Sequence, residues 1–149
     1  GAYGFIPEEN ERDSYLQALK GRDGLSSPSV PALVAHIAAY RDGAPWLDAL
    51  RDYLQANMRY VADTLNNAFP ALCWQPAEAT YLAWIDLRPL NVDDRALQQA
   101  LIAEQKVAIM PGYTYGPEGN GFLRLNVGCP REKLERGVEG LIAALRSLS

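Results

Sequence analysis

Apolar residues recur at helical spacing along most of this chain and at strand spacing in a few short stretches. The longest helical signal runs from Pro45 to Ala68. Leu47, Leu50, Leu54, Met58, Val61, Leu65 and Ala68 follow one another at gaps of 3, 4, 4, 3, 4 and 3 residues, which holds one helix face for more than six turns. Such a helix is roughly 35 Å long, more than a domain of this size needs internally, and the pattern predicts that it spans two structural units. Before it, Glu8–Lys20 reads as a helix with Tyr15, Leu16 and Leu19 on one face and Gly21 as its stop. Ser29–Tyr40 reads as another, with Ser29 as N-cap, Pro31 in the first turn, and Leu33, Val34, Ile37 and Ala38 inward. After it, Asn91-Val92-Asp93-Asp94 caps a helix over Asp93–Glu104 with Leu97 and Leu101 inward. Pro130 opens a last helix that buries Leu134, Val138, Leu141, Ile142, Leu145 and Leu148.

Period-two or continuous apolar runs mark the strands. Thr80–Leu87 (TYLAWIDL) is apolar on both faces, which predicts cover on each side and a helix layer on one of them. Val107–Met110 and Phe122–Gly128 are shorter strands, joined by the turn-rich loop Pro111–Gly121 (PGYTYGPEGNG), with four glycines and two prolines. Gly1–Pro7 reads as the tail of a strand, carrying Tyr3, Phe5 and Ile6, with no partner ahead of it. The order of elements predicts an α+β fold: a small, at least partly antiparallel sheet with packed helices and one long helix.

Composition narrows the classes. With 149 residues, 48% hydrophobic and 21% charged, the chain can build a core and general disorder is excluded. A net charge of −4 argues against a nucleic-acid grip built on phosphate contacts. No apolar run approaches the roughly 20 residues of a membrane helix. The opening GAYGFIPEEN lacks the pattern of a secretory signal. Cys73 and Cys129 are too few for a disulfide framework or a zinc site, and reduced thiols in the cytoplasm are the expectation.

Arg124 is the sharpest chemical signal. In FLRLNVG, strand alternation turns Leu123, Leu125 and Val127 one way and Phe122, Arg124 and Asn126 the other. A half-buried guanidinium needs an anion, and a carboxylate matches its fork with two parallel hydrogen bonds. That anion is either a substrate carboxylate or one of the 18 acidic residues. On the residue pattern alone the internal ion pair is the commoner outcome. The glycine-rich loop before this strand either approaches a ligand or is an ordinary hairpin loop, and it lacks a phosphate-cradle pattern. His36 is the single histidine, flanked by Ala35 and Ile37, and reads as a packed or rim residue. No GxSxG elbow accompanies it. Cys129, before Pro130, suits a capping role, and Cys73, beside Trp74, reads as core. Lys20, Lys106 and Lys133 lie in polar surroundings, so none reads as a desolvated Schiff-base lysine. Asp48, Asp52, Asp63 and Glu104 read as solvated.

Three stretches in this order resemble the C-terminal part of a pyridoxal-phosphate enzyme of the aspartate-aminotransferase fold: SSPSVPALVAHIAAYRDGAPWLDALRDYLQANMRYV, ATYLAWIDLR, and MPGYTYGPEGNGFLRLNVGCPREKLERGVEGL. The pairing of AAYRDGAPWL with TYLAWIDLR is similar to the cystathionine β-lyase-like C–S lyases of the MalY/PatB type, within the class I/II aminotransferases. The resemblance covers nearly the whole chain. It implies that Arg124 binds the α-carboxylate of an amino-acid substrate, with Tyr113 and Tyr115 of the preceding loop as wall residues.

It also implies pyridoxal 5'-phosphate as cofactor, held by a Schiff-base lysine that falls upstream of Gly1, so that this chain contributes no catalytic or cofactor-binding residue of its own. The domain organisation it implies is a remnant of the large cofactor domain over 1–44, an interdomain helix over 45–68 and a small α+β domain over 69–149. The parent is expected to be a homodimeric, cytoplasmic C–S β-lyase, releasing thiol, pyruvate and ammonia from cysteine S-conjugates. A class I/II aminotransferase shares every residue visible here. A non-catalytic binding or dimerisation module is the reading from another class. Apolar surface on Leu33, Ile37, Tyr40 and Trp46 is expected to be exposed in the fragment and to drive its self-association.

Overall fold

The computed structural model describes residues 4–25 and 29–148. Its elements are helices α1 (Glu9–Gln17), α2 (Val30–Asp42) and α3 (Ala44–Ala68), strand β1 (Leu82–Asp86), helix α4 (Asp94–Ala103), strands β2 (Met110–Pro111) and β3 (Phe122–Asn126), and helix α5 (Arg131–Leu148). The chain divides into two compact units, residues 1–49 and 50–149, and the division falls within α3.

In the first unit, α1 is shorter than its sequence pattern predicts. A π-helical turn, Ala18–Arg22, continues it through Gly21, so that glycine does not act as the stop. Ser29 occupies the N-cap position of α2 without a side-chain capping bond, and proline sits in the first turn. The inward face expected for α2 is not buried: Leu33 is 47%, Val34 63% and Ile37 62% exposed. The periodicity is present, but the first unit by itself does not cover it. The exposure expected of Leu33, Ile37, Tyr40 and Trp46 is observed. The strand expected over Gly1–Pro7 falls partly on residues 1–3, outside the described residues, and residues 4–7 form no strand.

The second unit holds the core. The stripe of α3 becomes progressively buried along the helix: Leu50 and Leu54 are half-buried, and Met58, Val61 and Leu65 are buried. Alternation in β1 sends Ala83 and Ile85 inward, and Leu87 beyond it is also buried. Leu123 and Leu125 of β3, then Val127, do the same. Leu97 and Leu101 of α4, with Leu134, Val138, Leu141 and Leu145 of α5, complete one cluster. Ile142 is half-buried at its edge, and Leu148 ends α5 at 38% exposure. Asp93 caps α4 by accepting from the backbone N–H groups of Arg95 and Ala96 at 3.0 and 2.8 Å.

The sheet is antiparallel throughout, in the order β1-β3-β2. The strand expected over Val107–Met110 shrinks to two residues, and Val107 instead donates its N–H to Leu101 as the chain leaves α4. The helix layer expected on one face of β1 is present, but the cover expected on its other face is not complete. Its second face carries Trp84, 39% exposed. Cys73 is exposed, in a left-handed backbone conformation after the turn Pro70–Leu72, and its neighbour Trp74 takes the core position expected of it.

Candidate functional site

The open face of the sheet is the candidate site, and backbone register builds it. Arg124 pairs with Trp84 on one side and Met110 on the other. Directly opposed residues of antiparallel strands share a face, so the guanidinium emerges between an indole and a thioether. Phe122 lies on the same face, opposite Asp86. The loop Gly112–Asn120 then brings Tyr115 back over the sheet, with the Arg124 guanidinium carbon 4.5 Å from the centroid of its ring.

That return depends on two glycines. Gly112 and Gly119 lie against each other where the loop closes, and a Cβ on either would run into the other's carbonyl oxygen. Thr114 locks the first turn by donating its hydroxyl to the Pro111 carbonyl at 2.7 Å. Asp94 accepts the Gly121 N–H at 2.7 Å, tying the loop's end to the start of α4.

The aromatic rings form a continuous array. Trp84 stacks on Phe122, with centroids 5.5 Å apart and 20° between planes, and meets Tyr115 edge-on at 5.9 Å and 71°. Arg88 caps the far end, 4.6 Å above Phe122. Its own fork grips Asp86 at 2.9 and 2.7 Å. That hydrogen bonding holds the Asp86 carboxyl below its ordinary range, opposed by slight desolvation, and raises Arg88. Asp86 is thus committed to Arg88.

Arg124 has no carboxylate partner among the described residues. Carboxylate ion pairs such as Arg22–Asp23, Arg41–Asp42 and Arg88–Asp86 lie elsewhere among the described residues. The internal ion pair weighed for Arg124 on residue pattern is not formed there. Its guanidinium carbon stands over the Tyr115 ring, and a guanidinium carries its N–H donors in its own plane. Chemically, this is a half-buried, uncompensated, oriented fork suited to a planar carboxylate.

The other candidate residues lie elsewhere. Tyr113 faces Arg95, whose guanidinium carbon is 5.3 Å from its centroid, and with Val92, Asp94 and Asn120 it lines a cavity of about 310 Å³. Tyr115, not Tyr113, is brought to Arg124. His36 is half-buried, its Nδ1 3.0 Å from the Ala32 carbonyl and its ring stacked on Tyr40. The Cys129 carbonyl accepts from Tyr53 and Asn57, each at 3.2 Å. No group of three or more metal-ligating side chains occurs among the described residues. Lys20, Lys106 and Lys133 are exposed, and Lys106 donates to the Ala103 carbonyl at 2.6 Å.

Sequence reasoning passed over two residues that hold this site. In the sequence Trp84 is one apolar residue among several in TYLAWIDL, with nothing local to set it apart. Asn57 is fully buried and donates to the carbonyls of Val127 and Cys129 at 2.8 and 3.2 Å, fastening α3 to the chain just beyond β3. A signal for Asn57 existed: it stands three residues after Leu54 and four before Val61, inside the apolar stripe, where a polar residue must find a partner.

Comparison with known proteins shows what the chain as a whole is similar to. The profile of the family "Aminotransferase class I and II" matches residues 2–141. Protein MalY of Escherichia coli (strain K12) is 70% identical over 99% of this chain and 38% of its own length. Cystathionine beta-lyase PatB of Bacillus subtilis (strain 168) is 37% identical over 95% of this chain and 36% of its own length. Among solved structures, cystalysin from Treponema denticola, which contains a pyridoxal 5'-phosphate cofactor, superposes with a TM-score of 0.83 at 28% identity, over 97% of this chain and 36% of that one. The chain thus spans a little over a third of the proteins it matches.

Proposed function

The chain belongs to the aminotransferase class I and II family, and on that premise we propose that it is part of a pyridoxal-phosphate-dependent C–S β-lyase. The substrate class is cystathionine or a related cysteine S-conjugate, and the products are a thiol, pyruvate and ammonia. Similarity to PatB, a cystathionine β-lyase, supports elimination over transamination. Pyruvate formed without a keto-acid acceptor distinguishes the two.

The chain's own contribution is the amino-acid clamp. Arg124 takes the α-carboxylate through two parallel hydrogen bonds. Two fixed points on the carboxylate limit rotation of the substrate, so the bonds at its α-carbon are presented in one orientation. Tyr115 backs the guanidinium. Tyr113, on the same loop, is a wall residue on the Arg95 side. The observation that carries the reading is the oriented fork of Arg124 without an internal carboxylate among the described residues.

Pyridoxal phosphate, when bound, supplies the electron sink that such an elimination requires. The lysines of this chain do not fit its attachment, being exposed and set in polar surroundings. The Schiff-base lysine is therefore assigned to the remainder of the protein, and these 149 residues alone are expected to be inactive. The exposed apolar side chains of α2 support homodimerisation of the parent and self-association of this chain. The two free thiols support a cytoplasmic location, and no helix among the described residues is long and apolar enough to cross a membrane.

The test is Arg124→Ala and Arg124→Lys in the full-length protein, with pyruvate release from L-cystathionine as the assay. A charge-assisted bidentate contact is worth about 1.5–3 kcal/mol, so kcat/KM falls about 10- to 150-fold in the alanine variant. Lysine restores little of it, because an ammonium cannot reproduce the planar fork. An unchanged KM with a lowered melting temperature assigns Arg124 to structure and sinks the clamp.

A further inference from the structure

We propose that Trp84 is a positioning residue for substrate binding: it holds Tyr115, and through Tyr115 it sets the plane of the Arg124 guanidinium. This rests on the reading of Arg124 as the carboxylate clamp. Tyr115 is 48% exposed on a short 3-10 turn, and no side-chain hydrogen bond anchors its hydroxyl among the described residues. Its ring is oriented by packing, and the T-shaped contact with Trp84 is the aromatic part of that packing.

Trp84, by contrast, is anchored from three directions. Its backbone stands in register opposite Arg124 itself. Its carbonyl accepts the indole N–H of Trp74 at 2.8 Å. Trp74 is 7% exposed, and Asn66 grips its backbone on both sides, donating to the carbonyl at 2.8 Å and accepting from the N–H at 2.9 Å. On the open face, the indole stacks on Phe122, which Arg88 caps and Asp86 in turn fixes. Rigidity thus passes from the core through Trp74 and β1 to Trp84, then ring to ring to the cation.

A guanidinium binds a carboxylate in its own plane. If the Tyr115 ring tilts, the surface over which the guanidinium carbon stands moves with it, and one of the two parallel bonds is lost. Trp84 makes both ring contacts at once, to Phe122 and to Tyr115. A phenyl group at the same position keeps the stacking on Phe122 and part of the edge contact. An alanine keeps neither.

The experiment is a double-mutant cycle in the full-length protein with Trp84→Ala, Trp84→Phe and Arg124→Ala. It reads KM and kcat for L-cystathionine cleavage, and inhibition by propionate, a simple carboxylate. Trp84→Ala is expected to raise KM about three- to tenfold, the size of one aromatic contact. Propionate inhibition weakens by the same factor, kcat changes by less than about twofold, and Trp84→Phe recovers most of the loss. In the Arg124→Ala background, Trp84→Ala adds nothing further. Independent, multiplying effects overturn the positioning role while leaving the clamp intact, as does unchanged propionate inhibition. If Trp84→Ala does not fold, Trp84→Leu and Tyr115→Leu enter the same cycle under the same criterion. An Arg124→Ala variant with unaltered KM removes the clamp and this inference together.

Discussion

The two units of the chain treat the same kind of apolar sequence differently. In the second, the stripes of α4 and α5 and the inner faces of β1 and β3 meet one another, and leucines such as Leu101, Leu141 and Leu145 are fully buried. In the first, α1 and α2 bury no residue at all. Yet α2 is the more apolar helix by sequence, with Val30, Leu33, Val34, Ile37 and several alanines distributed around it. A helix that is apolar nearly all round is built to be enclosed. The amphipathic helices of the second unit need cover on one side only, and this chain provides it. An apolar period therefore reports a demand for burial, and the partner that meets the demand has to be located separately.

The largest test of that contrast is a pair of truncations. Leu141→Ala opens a cavity in a closed core and costs about 2–5 kcal/mol in urea denaturation. Ile37→Ala, at 62% exposure in the single chain, shifts stability by no more than about 0.5 kcal/mol when measured at a dilution that keeps the chain monomeric. Equal costs would break the comparison, since they require α2 to be packed in solution. Association is the next effect. In sedimentation, the 16.4 kDa chain is expected to run heavier than a monomer. Replacing Leu33 and Ile37 together with glutamate returns it to monomer mass. If the unsubstituted 16.4 kDa chain sediments as a monomer, α2 is removed as an association surface.

The smallest effect concerns the open sheet face. Because Arg88 depresses the Asp86 carboxyl, the pair's contribution is present above the ordinary carboxylate range and is lost as pH falls through the folded-state value. Asp86→Asn is expected to flatten the melting temperature slightly between about pH 6 and about pH 3. The change is small because the Asp86 and Arg88 side chains are 34% and 62% exposed. An unaltered profile shows that the pair orients Arg88 without stabilising the fold.

Local patterns account for much of what was legible beforehand. Asp93 at its cap, the stripe of α3 and the alternation around Arg124 all depend on neighbours within a few residues, where backbone geometry leaves few choices. The two-residue length of β2 and the exposure of Cys73 were not legible. The first follows from a turn in which Val107 bonds back to Leu101, and the second from the left-handed backbone of Cys73 directly after Pro70–Leu72.

The site divides in the same way. That Arg124 turns away from the core follows from the order of residues in one strand. That it stands between Trp84 and Met110, under Tyr115 and without a carboxylate among the described residues, depends on register and loop closure. Alternation is a property of one strand, written in consecutive residues. Register and closure join residues about 40 positions apart, Trp84 to Arg124, and packing energy summed over the whole sheet chooses among the possible pairings.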